Sequence, residues 1–195
     1  LVTPEDFDNV VAALNFAGTA GETQQFTAAT LDDALLEATE TFGVSLVASN
    51  PLVTDSDTAT GTLTDNDAAT ITVDSVSAAE GGGLLFTVTL DSAVQGGFSV
   101  SVTLTDVSAT GGAAPLATPE DYDNVVANLN FAGTAGEFQQ FTVATLDDAV
   151  LEGPETFGVS LSASNPAVVD SDPGTGTLTN NDTATVSVDS VGAAE

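Results

Sequence analysis

The chain repeats itself. Residues 1–80 align with residues 116–195 without a gap, and about three-quarters of the aligned positions are identical. LVTPEDFDNVVAALNFAGTA, from residue 1, returns as LATPEDYDNVVANLNFAGTA from residue 116. TLDDALLEATETFGVSL returns as TLDDAVLEGPETFGVSL, and GTLTDND as GTLTNND. The shift is 115 residues throughout, so Asp6 matches Asp121, Asp32 matches Asp147 and Glu80 matches Glu195. A period of that length is too long for a solenoid unit and suits a whole β-sandwich domain. We place one complete unit at 68–182, preceded at 1–67 by the C-terminal part of a unit and followed at 183–195 by the first strand of another. An alternative phase starts a unit at residue 1 and completes it with strands from the segment that follows.

Within 68–182 apolar and polar residues alternate, which is the period of a half-buried strand and not of a helix. Seven short strands, A to G, are predicted at 69–76, 84–90, 98–105, 124–132, 139–146, 156–163 and 174–179. Phe86, Val88 and Leu90 share one face of B, Phe98, Val100, Val102 and Leu104 one face of C, and Phe157, Val159 and Leu161 one face of F. One dry face and one wet face per strand is what two stacked antiparallel sheets require. The segments between them are rich in Gly, Pro, Asn and Asp, the turn formers. Tyr122 and its equivalent Phe7 are expected to plug the end of the sandwich.

Charge then limits the partners. The chain carries 29 Asp plus Glu and no Lys, Arg or His, a formal net charge of −29. A surface without cationic side chains cannot neutralise phosphates, which argues against nucleic acid and anionic membrane as partners. No apolar run is long enough to insert into a bilayer. With 42% of residues hydrophobic, the chain has the apolar material to fold that a disordered acidic tail lacks. Cys and His are both absent, so zinc, copper and iron sites are not expected, and oxygen ligands suited to a hard cation remain.

The acids are unevenly placed. With consecutive strands antiparallel, the end of A, the start of B, and the C–D, E–F and post-G segments gather at one pole. That pole receives Glu80, Asp106, Glu120, Asp121, Asp123, Asp147, Asp148, Glu152, Glu155 and Asp182, ten of the unit's fifteen acids. The other receives Asp91, Glu137, Asp170 and Asp172, and Asp74 falls within strand A. Two carboxylates about 6 Å apart repel by roughly 3 kcal/mol at an effective dielectric near 20. With no side-chain cation to relieve them, such loops either splay into solvent or close around a bound divalent cation.

DDAVLEGPETF, from Asp147 to Phe157, together with the upstream pair Asp121–Tyr122 and the closing GTLTNND, resembles the Calx-beta domain. The resemblance covers the whole unit, with the motifs in the family's order and spacing. It implies tandem immunoglobulin-like antiparallel β-sandwiches, about seven strands per repeat, that bind Ca²⁺. It further implies Glu80, Asp121, Asp147, Asp148, Glu152 and Asp182 as calcium ligands, with the carbonyl of Val150 as another and Glu155 as a ligand or an acceptor behind the ligands. In the first copy the matching residues are Asp6, Asp32, Asp33, Glu37 and Asp67. The sequence departs from the family where Ala149 replaces a frequent acid and where Asn180–Asn181 replace part of an acidic run, the first copy keeping Asp65. Fewer acids predict fewer or weaker ions.

The acids lie in calcium-type spacing at the end of a sandwich, and the chain has no Trp to line a sugar cleft, so no enzyme is expected. The preferred expectation is a calcium-binding spacer, calcium stiffening the junction with the neighbouring repeat, in an extracellular or cell-surface stalk, adhesin or filament of a bacterium. A calcium-sensing regulatory module is the alternative, as is a subunit that assembles with other copies, in a filament or surface layer, by strand exchange.

Overall fold

A computed structural model describes residues 6–9, 12–55 and 57–195; the first five residues of the partial unit lie outside the described residues. The chain divides into two units, 1–67 and 68–195. No helix of the described residues is long and apolar enough to cross a membrane.

The first unit contains β1 (Leu35–Leu36), β2 (Glu40–Ser45) and β3 (Thr58–Leu63). The second contains β4 (Ala69–Val73), β5 (Val76–Ala79), β6 (Gly83–Leu90), β7 (Ala93–Val94), β8 (Phe98–Asp106), β9 (Gly111–Gly112), β10 (Tyr122–Asp123), β11 (Leu129–Phe131), β12 (Phe138–Ala144), β13 (Glu155–Ala163), β14 (Val168–Asp172) and β15 (Gly174–Thr179).

The second unit is a β-sandwich. One sheet has the order β11-β8-β13-β15-β5 and the other β12-β6-β4-β14. The inward residues are the alternating apolar ones: Ile71 and Val73 from β4, Leu84, Phe86, Val88 and Leu90 from β6, Val100 from β8, and Phe157 and Val159 from β13, all buried. Each large apolar side chain so buried contributes about 1.5–3 kcal/mol, so the core is what holds the two sheets together. Phe86 ties them across the gap, stacked on Phe141 at 5.0 Å between ring centroids and edge-on to Phe157 at 6.1 Å.

The seven expected strands are present, with three differences. Strand A is two pieces on different sheets, β4 antiparallel to β6 and β5 parallel to β15. Asp74, expected inside a continuous strand, sits at the break. Its N–H donates to the carbonyl of Thr87, and its Oδ1 accepts the N–H of Thr87 at 2.8 Å. Ser75 accepts the N–H of Thr175 at 3.0 Å, so the crossing segment is held from both sheets. Gly174 permits the close approach, since a Cβ there would lie 2.6 Å from the carbonyl oxygen of Asp74. Second, β14 adds a strand parallel to β4 in the region expected to be a loop. Third, strand D is only β11, because residues 124–128 find no ladder partner.

In the first unit, β2 and β3 pair antiparallel in the register of β13 and β15 shifted by 115, Phe42 facing Gly61 as Phe157 faces Gly176. Residues 23–29, counterparts of β12, form no strand, because β6, the partner of β12, has no counterpart in 1–67. Phe26 is accordingly 47% exposed, whereas its equivalent Phe141 is 7% exposed. Residues 183–195, expected as a first strand, also form none. The strands that pair with their equivalents, β6, β14 and β15, have no counterparts in 183–195, and Val186 is 98% exposed where Ile71 is fully buried.

Candidate functional site

Five carboxylates of the second unit meet at one end of the sandwich. Glu80 follows β5 and is anchored by its N–H on the carbonyl of Thr179. Behind it the chain turns at Gly81, with φ +73°, where a Cβ would lie 2.7 Å from that of Asp147. Left-handed backbone and close approach both call for glycine there. The segment that bears Asp121 is clamped between two others. Asp121 donates its N–H to the carbonyl of Thr110, accepts the N–H of Thr110 on Oδ2 at 2.6 Å, and offers its own carbonyl to the N–H of Leu146. Asp148 begins the loop before β13, its Oδ1 taking the N–H of Val150 at 2.8 Å. Glu152 lies further along that loop, and Glu155 opens β13.

Glu80, Asp148 and Glu152 each place one carboxylate oxygen within 4.8 Å of the others, and so do Asp121, Glu152 and Glu155. These five, with Leu146 and Leu178, line a small cavity of about 10 Å³, the space of one water-sized sphere. The crowding shows in the proton affinities. Loss of water, then the charge of Asp121 and a hydrogen bond with it, push Glu155 up to about 7. Glu80 and Glu152 are raised as well, first by desolvation and then by neighbouring carboxylates. A pocket of partly dried, mutually repelling oxygen donors, with no nitrogen or sulfur donor, fits a hard divalent cation.

The remaining sequence candidates sit around this group and outside the two triplets. Asp147 is close enough for its charge to act on Glu80, but its Oδ1 takes the side-chain amide of Asn181 at 3.0 Å. Asp182 also acts on Glu80, and its Oδ2 is buried with no hydrogen-bond partner among the described residues. That orphaned acceptor oxygen is a second feature that a cation would satisfy. The carbonyl of Val150 accepts one hydrogen bond, from Asn180 Nδ2 at 3.2 Å.

In the first unit Asp6, Asp32, Asp33, Glu37 and Asp67 line one wide cavity of about 410 Å³, together with Glu40 and Asp65. Glu37 and Asp67 are raised by desolvation and by neighbouring acids. No triplet as tight as those above forms there among the described residues. The counterpart of Glu80 and of the turn behind it is not among residues 1–67.

Two arrangements were missed in the sequence. Asn180 bridges the loop by donating to the carbonyls of Val150 and Glu152, both at 3.2 Å. The available signal was that 65 and 180 are the one position where GTLTDND and GTLTNND differ. At the opposite pole Glu137 accepts the backbone N–H groups of Ala132, Gly133 and Thr134, and Glu22 those of Ala17 and Gly18. These bonds lower both carboxyls and mark them as braces of a turn, remote from the acidic tip.

The Calx-beta domain family matches the chain over residues 2–75 and 65–188. Among solved structures, the apo-form Calx CBD1 domain is 17% identical, with a TM-score of 0.49 over 60% of this chain and 100% of that one. The CBD12 structure from CALX1.2 is 18% identical, with a TM-score of 0.48 over 58% of this chain and 46% of that one. Comparison with the curated proteins finds no match. With both of its repeats matched by the family, the chain belongs to the Calx-beta domain family.

Proposed function

We propose that this chain is a calcium-binding structural repeat of an extracellular stalk, adhesin or filament. The observation that carries the reading is the meeting of Glu80, Asp121, Asp148, Glu152 and Glu155 around one small cavity, in a chain without Lys, Arg or His. Calcium suits that donor set because it takes six to eight oxygen ligands in flexible geometry. These five residues would hold the ion, with Asp182 and Asp147 beside them. In the first copy the equivalent donors are Asp6, Asp32, Asp33, Glu37 and Asp67. Bound calcium supplies the positive charge that the side chains lack. It thereby draws together loops that come from both sheets of the sandwich.

The spacer role follows from the repeat. Asp182 is followed directly by Thr183, the start of the next copy, as Asp67 is followed by Ala68. Calcium ordering the tip therefore orders the connection to the next repeat, and an array of such units stiffens. Near-identical copies suit a spacer better than two distinct recognition sites. Calcium titration of the melting temperature tests the first part: millimolar Ca²⁺ raises the melting temperature of the second unit in the native chain and leaves that of the second unit unmoved in the Asp148→Asn, Glu152→Gln variant, which keeps the donors of the first copy. Small-angle scattering of the chain in calcium and in chelator tests the second, the maximum dimension increasing with calcium. Saturation only at millimolar calcium fits a stalk, whereas micromolar saturation would point to a regulatory sensor.

A further inference from the structure

The two main sheets of the second unit end in β11 and β5 on one side of the sandwich and in β12 and β14 on the other. An edge strand presents unpaired N–H and C=O groups, and proteins blunt such edges by shortness, charge, proline or a bulge. β11 has three residues and β5 has four, while β14 carries Asp170 and shifts register between Asp170 and Asp172. β12 has none of these devices. FQQFTVA runs seven residues in unbroken register with β6, from Phe138 opposite Thr89 to Ala144 opposite Gly83, without an acid, a glycine or a proline.

The backbone of β12 divides by parity. The carbonyl of Glu137 accepts the N–H of Leu90 at 2.9 Å, and Thr145 donates its N–H to the carbonyl of Gly82 at 3.2 Å. Bonds alternate along an antiparallel pair, so Phe138, Gln140 and Thr142 turn their N–H and carbonyl groups away from β6. No strand of the described residues pairs with that side until Tyr122 bridges Thr145. The side chains there are uncovered as well. Phe138 is 60% exposed, at a position where the first copy has Thr23. Gln140 Nε2 donates to Thr87 Oγ1 at 3.1 Å, and Leu85, Thr87 and Thr89 continue the same outer face, which bears no carboxylate. Glu137, next along the chain, turns its oxygens to the N–H groups of Ala132, Gly133 and Thr134.

A chain of net charge −29 without a cationic side chain repels its own copies wherever carboxylates meet, so two copies approach only along an uncharged line. β12 is such a line. It runs from the Glu137 turn toward the acidic tip, so antiparallel pairing of two β12 strands sets each tip beside the other copy's opposite pole and keeps the tips apart. The same pairing gives the open N–H and carbonyl groups their partners and covers Phe138. We propose that two copies of this chain join side by side through β12, about a two-fold axis at Gln140, with Phe138 opposite Thr142 of the second copy. Their four-stranded sheets then form one continuous sheet. This goes beyond the calcium reading and does not rest on it.

The test is sedimentation equilibrium of the full chain in EDTA, at about 0.5 mM protein and about 0.5 M NaCl, salt that screens charges beyond a few ångströms. The native chain should dimerise there and dissociate as the salt is lowered. Gln140→Glu, which sets two carboxylates face to face across the axis, should weaken the dimer about tenfold. Phe138→Thr should weaken it several-fold. Thr103→Glu, the same charge on the exposed face of the other sheet, should change it by less than about twofold. The chain has no cysteine of its own, so a short bismaleimide should join two copies of Gln140→Cys and leave Thr103→Cys single. A chain that stays monomeric overturns the proposal and leaves β12 to a strand of another protein. A dimer that Gln140→Glu does not weaken overturns it too, as does cross-linking at residue 103 as ready as at 140. Should Gln140→Glu fail to fold by circular dichroism, the cross-linking pair decides in its place.

Discussion

Tyr122 donates its hydroxyl hydrogen to Asp106 Oδ1 at 2.5 Å while its ring stacks on Phe157 at 4.2 Å between centroids. The ring is fully buried, and burial together with Asp106 pushes the phenol well above its ordinary range. Asp106 also takes the N–H of Gly111 at 2.9 Å. One carboxylate thereby fixes both the plug of the sandwich and the segment that leads to Asp121. Tyr122→Phe should cost about 1–3 kcal/mol, the range for leaving a charged acceptor without its donor. Urea unfolding measures it, and the loss should shrink when Asp106→Ala is already present.

Gly176 faces Phe157 across the β13–β15 ladder, and a Cβ on it would overlap the ring. The ring covers the bare backbone opposite it, and the first copy repeats the arrangement with Gly61 and Phe42. Gly176→Ala should destabilise the second unit by about 1–3 kcal/mol through overpacking. Combining it with Phe157→Leu should give less than the sum of the two single losses in thermal or urea unfolding.

Acid should stabilise the calcium-free protein before it harms it. Glu155 is raised to about 7 in the fold, above its unfolded value, so its contribution is fully present below about 4.5 and is lost as pH rises through about 7. Glu80 and Glu152, also raised, act in the same direction. Glu137 and Glu22 are lowered, so their contribution is present above the ordinary glutamate range and is lost as pH falls through their depressed values. Melting temperatures in EDTA should therefore rise from pH 8 to about pH 5 and fall again below about pH 4. Glu155→Gln should flatten the upper limb and spare the lower one.

Glu137 braces its turn without touching the acidic tip. Glu137→Ala leaves the N–H groups of Ala132, Gly133 and Thr134 to water and should cost about 1 kcal/mol. The calcium-dependent rise in melting temperature should be the same in this variant as in the native chain. A reduced calcium response would mean that the two poles are coupled.

The alternation of apolar and polar residues made the strands of 68–182 readable, because a side chain's face in a strand follows from its parity alone. Asp74 defeated that reading. Nothing in ATITVDSV marks the point at which the chain leaves one sheet for the other, since the crossing depends on Thr87 and Thr175 from distant segments. Residues 183–195 carry the same alternation and form no strand, because a strand exists only with a partner. At the tip, spacing picked out loops whose acids lie together but could not rank those acids. Asp147 and Asp148 are adjacent, yet Asp148 belongs to a carboxylate triplet and Asp147 turns to Asn181.

The sequence by itself determined the 115-residue period, the β-sandwich and the absence of any side-chain cation to balance the acids. Those are properties of order and composition, which need no coordinates. Tertiary structure alone decided which carboxylates share a cavity, that Asn180 holds the carbonyls of Val150 and Glu152, and that Asp182 keeps a buried oxygen unpaired. Electrostatic and hydrogen-bond energies fall off within a few ångströms, and residues about 100 positions apart, such as Glu80 and Asn181, come within that range only when the sheets pack.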